Sequence, residues 1–402
     1  MLLTDEPTTF DKLSFQRYVD VLIPVIVSPD TQTPLTIGIF GPWGSGKSSL
    51  LAQISARLGK GDDSPVLRVE FKPWLHRKEP SLLLPLVQAI RDELATRGSR
   101  FVETVSRLTD CIVRLGAQIF LKTITANAAS LDDLDKLEKA WLDRNRQARS
   151  ELVGLRSHIE ALCGSLGERK LLLVIDDLDR CDPIEIVDLL EAVKLFLDVK
   201  NLITILAVDK KIVDLGIEAR YRKAGFDASQ LAGIGADYLE KIVQVPIYLH
   251  HLTRTQVDTY LGSFVVDKHV KDQLEVLSPA LERNPRKLKR IVNLMNATLR
   301  GEFPSQVNAL LAKLIVLQVQ ERELFAGLAA DPDVILALEK AYVDHTIDID
   351  YTEYRSRHGQ VRQFCERHYR PSGALAVLLS GPPHFALIKD TLESYFAFLP
   401  TA

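Results

Sequence analysis

The sequence predicts an α/β domain built on a mainly parallel sheet, followed by a region that is helical throughout. Two observations support this prediction. Short apolar, β-branched runs recur over the first 250 residues, and segments with helical apolar spacing separate them, as in parallel crossovers. Beyond Thr253 only the helical spacing remains, and prolines interrupt it.

The runs that we interpret as buried strands are 35–40, 66–71, 170–175, 201–208 and 243–249. Between the second and third runs no strand pattern occurs, which predicts a helical insertion. We therefore divide the chain into a lead-in (1–34), a core (35–250) with the insertion at about 80–168, a helical segment with a basic helix (251–300), and a C-terminal helical region of unknown role (301–402).

Composition excludes several classes of protein. The chain has 402 residues, of which 46% are hydrophobic and 26% charged, and its formal charge of −3 gives no overall attraction to nucleic acid or anionic membranes. None of the four cysteines has the two-residue spacing of a zinc ribbon or redox pair. The acidic start and the lack of a long apolar window predict a cytoplasmic protein with no membrane partner.

A glycine-rich turn after the first predicted strand carries the strongest signal. Residues 41–48 match the pattern G-x-x-x-x-G-K-[ST] in full and open a helix, as this phosphate-binding pattern requires. Backbone N–H groups there approach phosphate oxygens closely, and the helix start adds donors and positive charge. Lys47 is expected at the β- and γ-phosphates of ATP, and the Ser48 hydroxyl on Mg²⁺. The expected nucleotide contacts are Gly41, Trp43, Gly44, Ser45, Gly46, Lys47, Ser48 and Ser49.

Asp176 and Asp177 follow the third predicted strand, at the carboxyl edge where ligands of open α/β sheets bind. Together with the loop, they predict an ATP-hydrolysing site. Asp176 would hold Mg²⁺, largely through water, and Asp177 would orient or deprotonate an attacking water.

The residues that follow the acidic pair have different expected roles. Asp182 precedes Pro183 in the pattern of a helix start, so we interpret it as a structural N-cap. For Asp179 and Arg180 two interpretations stay open: they pair with each other, or they project to a neighbouring subunit, where Arg180 would act in trans.

Asp209 and Arg286 are two further candidates. Asp209 ends the fourth predicted strand, so it either senses the γ-phosphate or lies in a plain turn. Arg286 lies with Lys289, Arg290 and Asn293 on one face of a helix that begins after Asn284. That basic face could reach a nucleotide phosphate from a helical lid, bind nucleic-acid phosphates, or be solvated.

Six segments together resemble the KAP family of P-loop NTPases, in the family's order: 36–48, 71–74, 174–181, 207–210, 238–246 and 284–286. The resemblance implies a P-loop NTPase of the additional-strand type, related to AAA+ and STAND ATPases, with a helical domain after the sheet. It implies that Asp209 is a first sensor and Arg286 a second, which favours the lid interpretation. Many members carry membrane spans before the acidic strand, but the corresponding residues 109–121 are too short and polar.

These observations lead to a main functional hypothesis and three alternatives. The main hypothesis is a Mg²⁺-dependent switch ATPase that couples ATP to an oligomer of this chain or an effector protein; family habit suggests phage defence. The alternatives are a nucleotide-stabilised scaffold with little turnover, a DNA-dependent ATPase that uses the basic helix, and a small-molecule kinase. The acidic pair argues against the scaffold, and the long helical region argues against the kinase.

Overall fold

The computed structural model describes residues 2–59, 64–79, 82–97, 101–110, 112–113, 154–196, 198–223, 234–264, 266–354 and 360–399. Its strands are β1 (Leu35–Phe40), β2 (Val66–Phe71), β3 (Lys170–Ile175), β4 (Leu202–Val208) and β5 (Val245–Tyr248). They form one sheet in the order β2-β3-β4-β1-β5, and every neighbouring pair is parallel. The predicted parallel sheet is confirmed.

The sheet topology brings three strand ends to one edge. Phe40 at the end of β1 lies opposite Val208 of β4, and Ile175 at the end of β3 lies opposite Leu206. The glycine-rich turn, the acidic pair and Asp209 therefore leave the sheet side by side. Strand β4 separates β1 from β3, which confirms the additional-strand arrangement.

Burial explains why the strands are so apolar. Every residue of β3 and β4 is buried, because these strands lie inside the sheet and both their faces are covered. Strand β5 lies at the edge, which tolerates Pro246 because its missing N–H is not needed by a further neighbour. This strand is shorter than the predicted run because Val243 still donates to Leu239 O as part of the preceding helix.

The helices agree with the predicted pattern. Their bounds are α1 (Gln16–Val27), α2 (Lys47–Leu58), α3 (Leu83–Ala95), α4 (Pro183–Phe196), α5 (Lys210–Lys223), α6 (Ile234–Ile242), α7 (Arg254–Gly262), α8 (Lys268–Leu277), α9 (Pro285–Thr298), α10 (Ser305–Gln320), α11 (Arg322–Ala330), α12 (Val334–Val343), α13 (Val361–His368), α14 (Ala374–Ser380) and α15 (Leu392–Phe398). Residues 102–110 and 154–165 are also helical. Residues 114–153 of the predicted insertion lie outside the described residues.

The chain divides into two compact units. One contains Pro7–Asp11 and Phe15–His250, and therefore the whole sheet. The other contains Met1–Glu6, Lys12–Ser14 and His251–Ala402, so the two helical regions that we separate at residue 300 fall within one unit. In the part of the chain that the structure describes, no helix is long and apolar enough to cross a bilayer.

Gly216 allows helices α4 and α5 to approach closely. A Cβ atom built at this position would lie 2.0 Å from the carbonyl oxygen of Pro183, the first residue of α4. Helix α4 follows the acidic pair and α5 follows Asp209, so this contact helps to set the distance between those two segments.

Replacing Gly216 with alanine is expected to destabilise the protein by about 1–3 kcal/mol, because the helices must move apart to admit the methyl group. Chemical denaturation followed by circular dichroism measures this change. Gly262→Ala is the matched control, since a Cβ atom there meets nothing within 4 Å. Equal stability of the two variants would contradict the close approach.

Candidate functional site

The turn between β1 and α2 requires its glycines. Gly44 and Gly46 adopt φ values of 82° and 100°, a left-handed region in which side chains are strained. At Gly41 a Cβ atom would lie 2.6 Å from Ser45 Oγ. Ser45 Oγ is itself buried and has no hydrogen-bond partner among the described residues. A glycine-rich turn with an unsatisfied buried hydroxyl suits a ligand that offers several acceptor oxygens.

Lys47 begins α2 with its ammonium turned back into the turn. Its Nζ donates to Gly41 O at 2.8 Å and lies 2.6 Å from Asp179 Oδ2. Only 8% of the Lys47 side chain and 7% of the Asp179 side chain are exposed, so this ion pair is buried. The expected position of Lys47 at the turn is therefore observed, whereas its carboxylate partner was not anticipated.

Asp176 lies at the end of β3 and contacts the start of α2. Its carboxylate lies close to the Ser48 side chain and to the backbone of Asp177. Burial raises the pKa of the Asp176 carboxyl, the nearby Ser48 hydroxyl opposes this shift, and the Asp177 charge adds to it. A hydroxyl and a carboxylate in contact are hard oxygen ligands of the kind that Mg²⁺ prefers.

Asp177 adopts a strained backbone and pairs with Arg180. Its φ of 59° lies in the left-handed region, and its Oδ1 accepts from Arg180 Nε at 3.0 Å. The Arg180 guanidinium lies over the ring of Trp74, 5.2 Å from its centroid. The interpretation that Asp179 pairs with Arg180 is therefore wrong: Arg180 pairs with Asp177, because the short turn Leu178–Arg180 places residues three apart on one side.

The predicted cap at Asp182 is confirmed. Its Oδ1 accepts from Ile184 N at 2.8 Å, and Glu185 Oε2 accepts from Asp182 N at 3.3 Å. The first bond caps the second residue of α4 and the second comes back from its third residue, and together they hold α4 in place directly after the acidic turn.

Asp209 leaves β4 beside the turn, but its side chain is engaged. Asp209 Oδ1 accepts from Lys211 N at 3.1 Å, a local bond that caps α5. Its backbone N–H donates to Asp179 Oδ1 at 2.5 Å. The position of Asp209 at the end of β4 agrees with both interpretations, the phosphate sensor and the plain turn. The structure adds one contact, the cap on α5.

The basic helix α9 belongs to the other compact unit and is described within that unit alone. Asn284 caps it by accepting from Arg286 N and Lys287 N at 3.0 and 3.3 Å, as predicted. The apolar side chains of this helix are buried: Leu288, Ile291, Val292, Met295 and Leu299.

The basic face of α9 binds the beginning of the chain. Asn293 Nδ2 donates to Leu3 O at 2.8 Å, and its Oδ1 accepts from Leu3 N at 2.6 Å. Lys289 Nζ donates to Thr4 O at 2.8 Å, and Arg286 Nε lies 3.2 Å from Asp5 Oδ2. Burial lowers the pKa of Lys289. A merely solvated face is therefore the wrong interpretation for these residues, because a segment of the same chain covers them.

A cavity of about 490 Å³ opens beside the contact between Ser48 and Asp176. Its lining includes those two residues together with Arg68, Glu70 and Lys72 from β2 and the residue after it. The cavity therefore gives the Ser48–Asp176 pair an accessible side.

Several contacts of the site were missed by sequence reasoning. The Lys47–Asp179 pair and the Trp74–Arg180 contact join segments that are far apart in the chain. No spacing pattern in the sequence signals these contacts, because the order of the strands in the sheet brings the segments together.

Fold and site together define the class of protein. A glycine-rich loop that joins a central parallel strand to a helix, with an acidic pair at the end of a second strand on the same edge, is the arrangement of P-loop NTPases. The profile of the KAP family P-loop domain matches residues 15–301. The chain therefore belongs to the KAP family, which confirms the resemblance seen in its motifs.

Two known proteins provide further comparison. The chain is 25% identical over 264 residues to the phage T7 exclusion protein of Escherichia coli (strain K12), a match that covers 60% of this chain and 33% of that protein. The chain thus spans about a third of that relative's length. The structure of Drosophila ORC bound to DNA matches with a TM-score of 0.32 and 14% identity, covering 96% of this chain and 86% of that chain.

Proposed function

We propose that the protein is a Mg²⁺-dependent ATPase that acts as a conformational switch. The observation that carries this proposal is the contact between Ser48 and Asp176, next to a glycine-rich loop that already holds Lys47. The unsatisfied Ser45 hydroxyl supports a triphosphate in the loop, because phosphate oxygens would accept its hydrogen bond.

The residues divide the work of hydrolysis among them. Amides of the loop and the Lys47 ammonium bind the β- and γ-phosphates. Ser48 and Asp176 would hold Mg²⁺, which would neutralise charge on the phosphate oxygens. Asp177 orients the attacking water or accepts its proton, and Asp209 or Arg286 senses the phosphate.

Basal turnover is expected to be slow. One oxygen of the Asp177 carboxylate is bound to Arg180 and one oxygen of the Asp209 carboxylate caps α5, so each carboxylate is partly engaged before it can act on water or phosphate. This observation favours a switch whose hydrolysis depends on a partner. It also agrees with the alternative of a nucleotide-stabilised scaffold with little turnover.

Magnesium dependence tests the proposal directly. Phosphate release from ATP is expected with Mg²⁺ and is expected to fall to background with excess EDTA or in Asp176→Asn, because both remove the metal site. Asp198→Asn is the matched control, since that carboxylate is exposed and pairs only with Lys194 in the described chain. Hydrolysis that persists in Asp176→Asn would contradict the metal role.

The last part of the proposal is the process to which ATP binding is coupled. We infer that ATP changes either the assembly of this chain or its binding to an effector protein. Sizing the protein with and without a non-hydrolysable ATP analogue tests this, and an unchanged mass would exclude assembly. A role in phage exclusion is supported by the name of the Escherichia coli relative, and plating of phage on expressing and non-expressing bacteria tests it.

A further inference from the structure

Asp179 is a buried carboxylate to which the chemistry proposed above gives no role. Its Oδ2 lies 2.6 Å from Lys47 Nζ, and its Oδ1 accepts from the backbone N–H of Asp209 at 2.5 Å. Each oxygen therefore binds a different segment: one binds the phosphate loop and the other binds the junction between β4 and α5. A buried group that connects two parts of a site in this way can transmit a change at one to the other.

The contacts of Lys47 leave no hydrogen free for a phosphate. Its ammonium has three N–H donors, and three acceptors surround it: Asp179 Oδ2, Gly41 O at 2.8 Å and Pro42 O at 3.4 Å. A phosphate oxygen can bind Lys47 only if one acceptor leaves. Asp179 is the charged acceptor, and the phosphate would repel it strongly in this buried, weakly screened position.

We propose that Asp179 is a positioning residue that holds Lys47 in the nucleotide-free protein and is displaced from it by the phosphates of the nucleotide. The inference rests on the proposed nucleotide site. Displacement moves the carboxylate that also binds the Asp209 N–H, so phosphate binding loosens the start of α5. In this way, nucleotide binding at the loop affects the end of β4, which lies beside the loop.

A purely structural ion pair makes a different prediction. If Asp179 only stabilised the fold, its neutralisation would weaken the protein and its nucleotide binding together. If Asp179 competes with phosphate for Lys47, neutralisation weakens the nucleotide-free protein but strengthens nucleotide binding. The two roles therefore differ in the sign of the change in affinity.

Asp179→Asn separates these roles. Asparagine has the same size and can still accept from the Asp209 N–H, but it lacks the charge. With Mg²⁺ and a non-hydrolysable ATP analogue, we expect about tenfold tighter binding, because a competing state is removed. The Michaelis constant for ATP should fall without a rise in kcat. The melting temperature of the nucleotide-free variant should fall, while that of the saturated variant should stay near wild type.

Two control variants accompany the measurement of analogue affinity in Asp179→Asn. Asp182→Asn makes the same chemical change three residues away, at a cap where asparagine serves equally well, and should leave affinity unchanged. Asp179→Glu keeps the charge and should bind the analogue with an affinity close to that of wild type.

Hydrogen exchange tests the inference without any variant. The Asp209 amide should be protected in the nucleotide-free protein and exchange several-fold faster once the analogue is bound. Unchanged or stronger protection at Asp209 would overturn the inference, as would an Asp179→Asn variant that folds but binds no tighter. If the wild type binds no analogue at all, the proposed nucleotide site fails as well. Wild-type binding without the Asp179 effects refutes only the role of Asp179.

Discussion

Replacing Lys47 with alanine is expected to lower ATP hydrolysis by at least about 100-fold, the usual effect of removing one preorganised donor from an electrostatic site. The ammonium is buried at the loop, where its charge is weakly screened, so water cannot substitute for it. Nucleotide binding should weaken as well, because in the proposed site Lys47 contacts the phosphates in the ground state. Phosphate release and binding of a non-hydrolysable analogue measure the two effects.

The Lys47 experiment needs a control for stability. Removing the lysine leaves the Asp179 carboxylate buried without its cation, which costs about 3–5 kcal/mol by itself. The double variant Lys47→Ala/Asp179→Asn removes this penalty, and Lys194→Ala removes an exposed lysine of α4. Loss of hydrolysis in the single and double variants, with normal activity in Lys194→Ala, assigns the effect to the ammonium. Recovery in the double variant would contradict that assignment.

Asp177→Asn should lower kcat by about 10²–10⁴-fold and leave nucleotide affinity unchanged, because a general base acts on the water and not on the bound substrate. Asparagine is the right replacement for this position. It tolerates the φ of 59° and can still accept a hydrogen bond from Arg180, so the fold should be preserved. Single-turnover hydrolysis and analogue binding separate kcat from affinity.

Two outcomes would contradict the role of Asp177. Full turnover in Asp177→Asn would show that another group handles the water. A wild type no faster than Asp177→Asn would favour the nucleotide-stabilised scaffold over the ATPase. The exposed Asp198→Asn serves again as the matched change.

The sequence predicts the fold well where a local pattern determines the structure. All five strands lie within the predicted runs, and the two strands buried along their whole length, β3 and β4, are almost entirely apolar, as buried parallel strands are expected to be. The starts of α4 and α9 agree with the caps predicted at Asp182 and Asn284, since a cap depends on the two or three residues that follow it. The loop at residues 41–48 is determined by glycine geometry in the same local way.

The partners of charged side chains could not be predicted. Lys47 pairs with Asp179 only because the strand order places β1 beside β4 and β3 next in line, and no local pattern encodes that order. The basic face of α9 is equally ambiguous, since solvent, phosphate and a segment of the same chain all suit Lys289. Such contacts depend on tertiary structure, where several charges of similar strength compete.

Leu3, Thr4 and Asp5 lie along the basic helix, so an affinity tag fused directly ahead of them would be held beside Lys289 and Asn293. A polyhistidine sequence there would add imidazoles next to a basic face. Electrostatics at Arg286 would then differ from those of the untagged chain. Enzymologists who use such a tag should cleave it before they compare Arg286 variants.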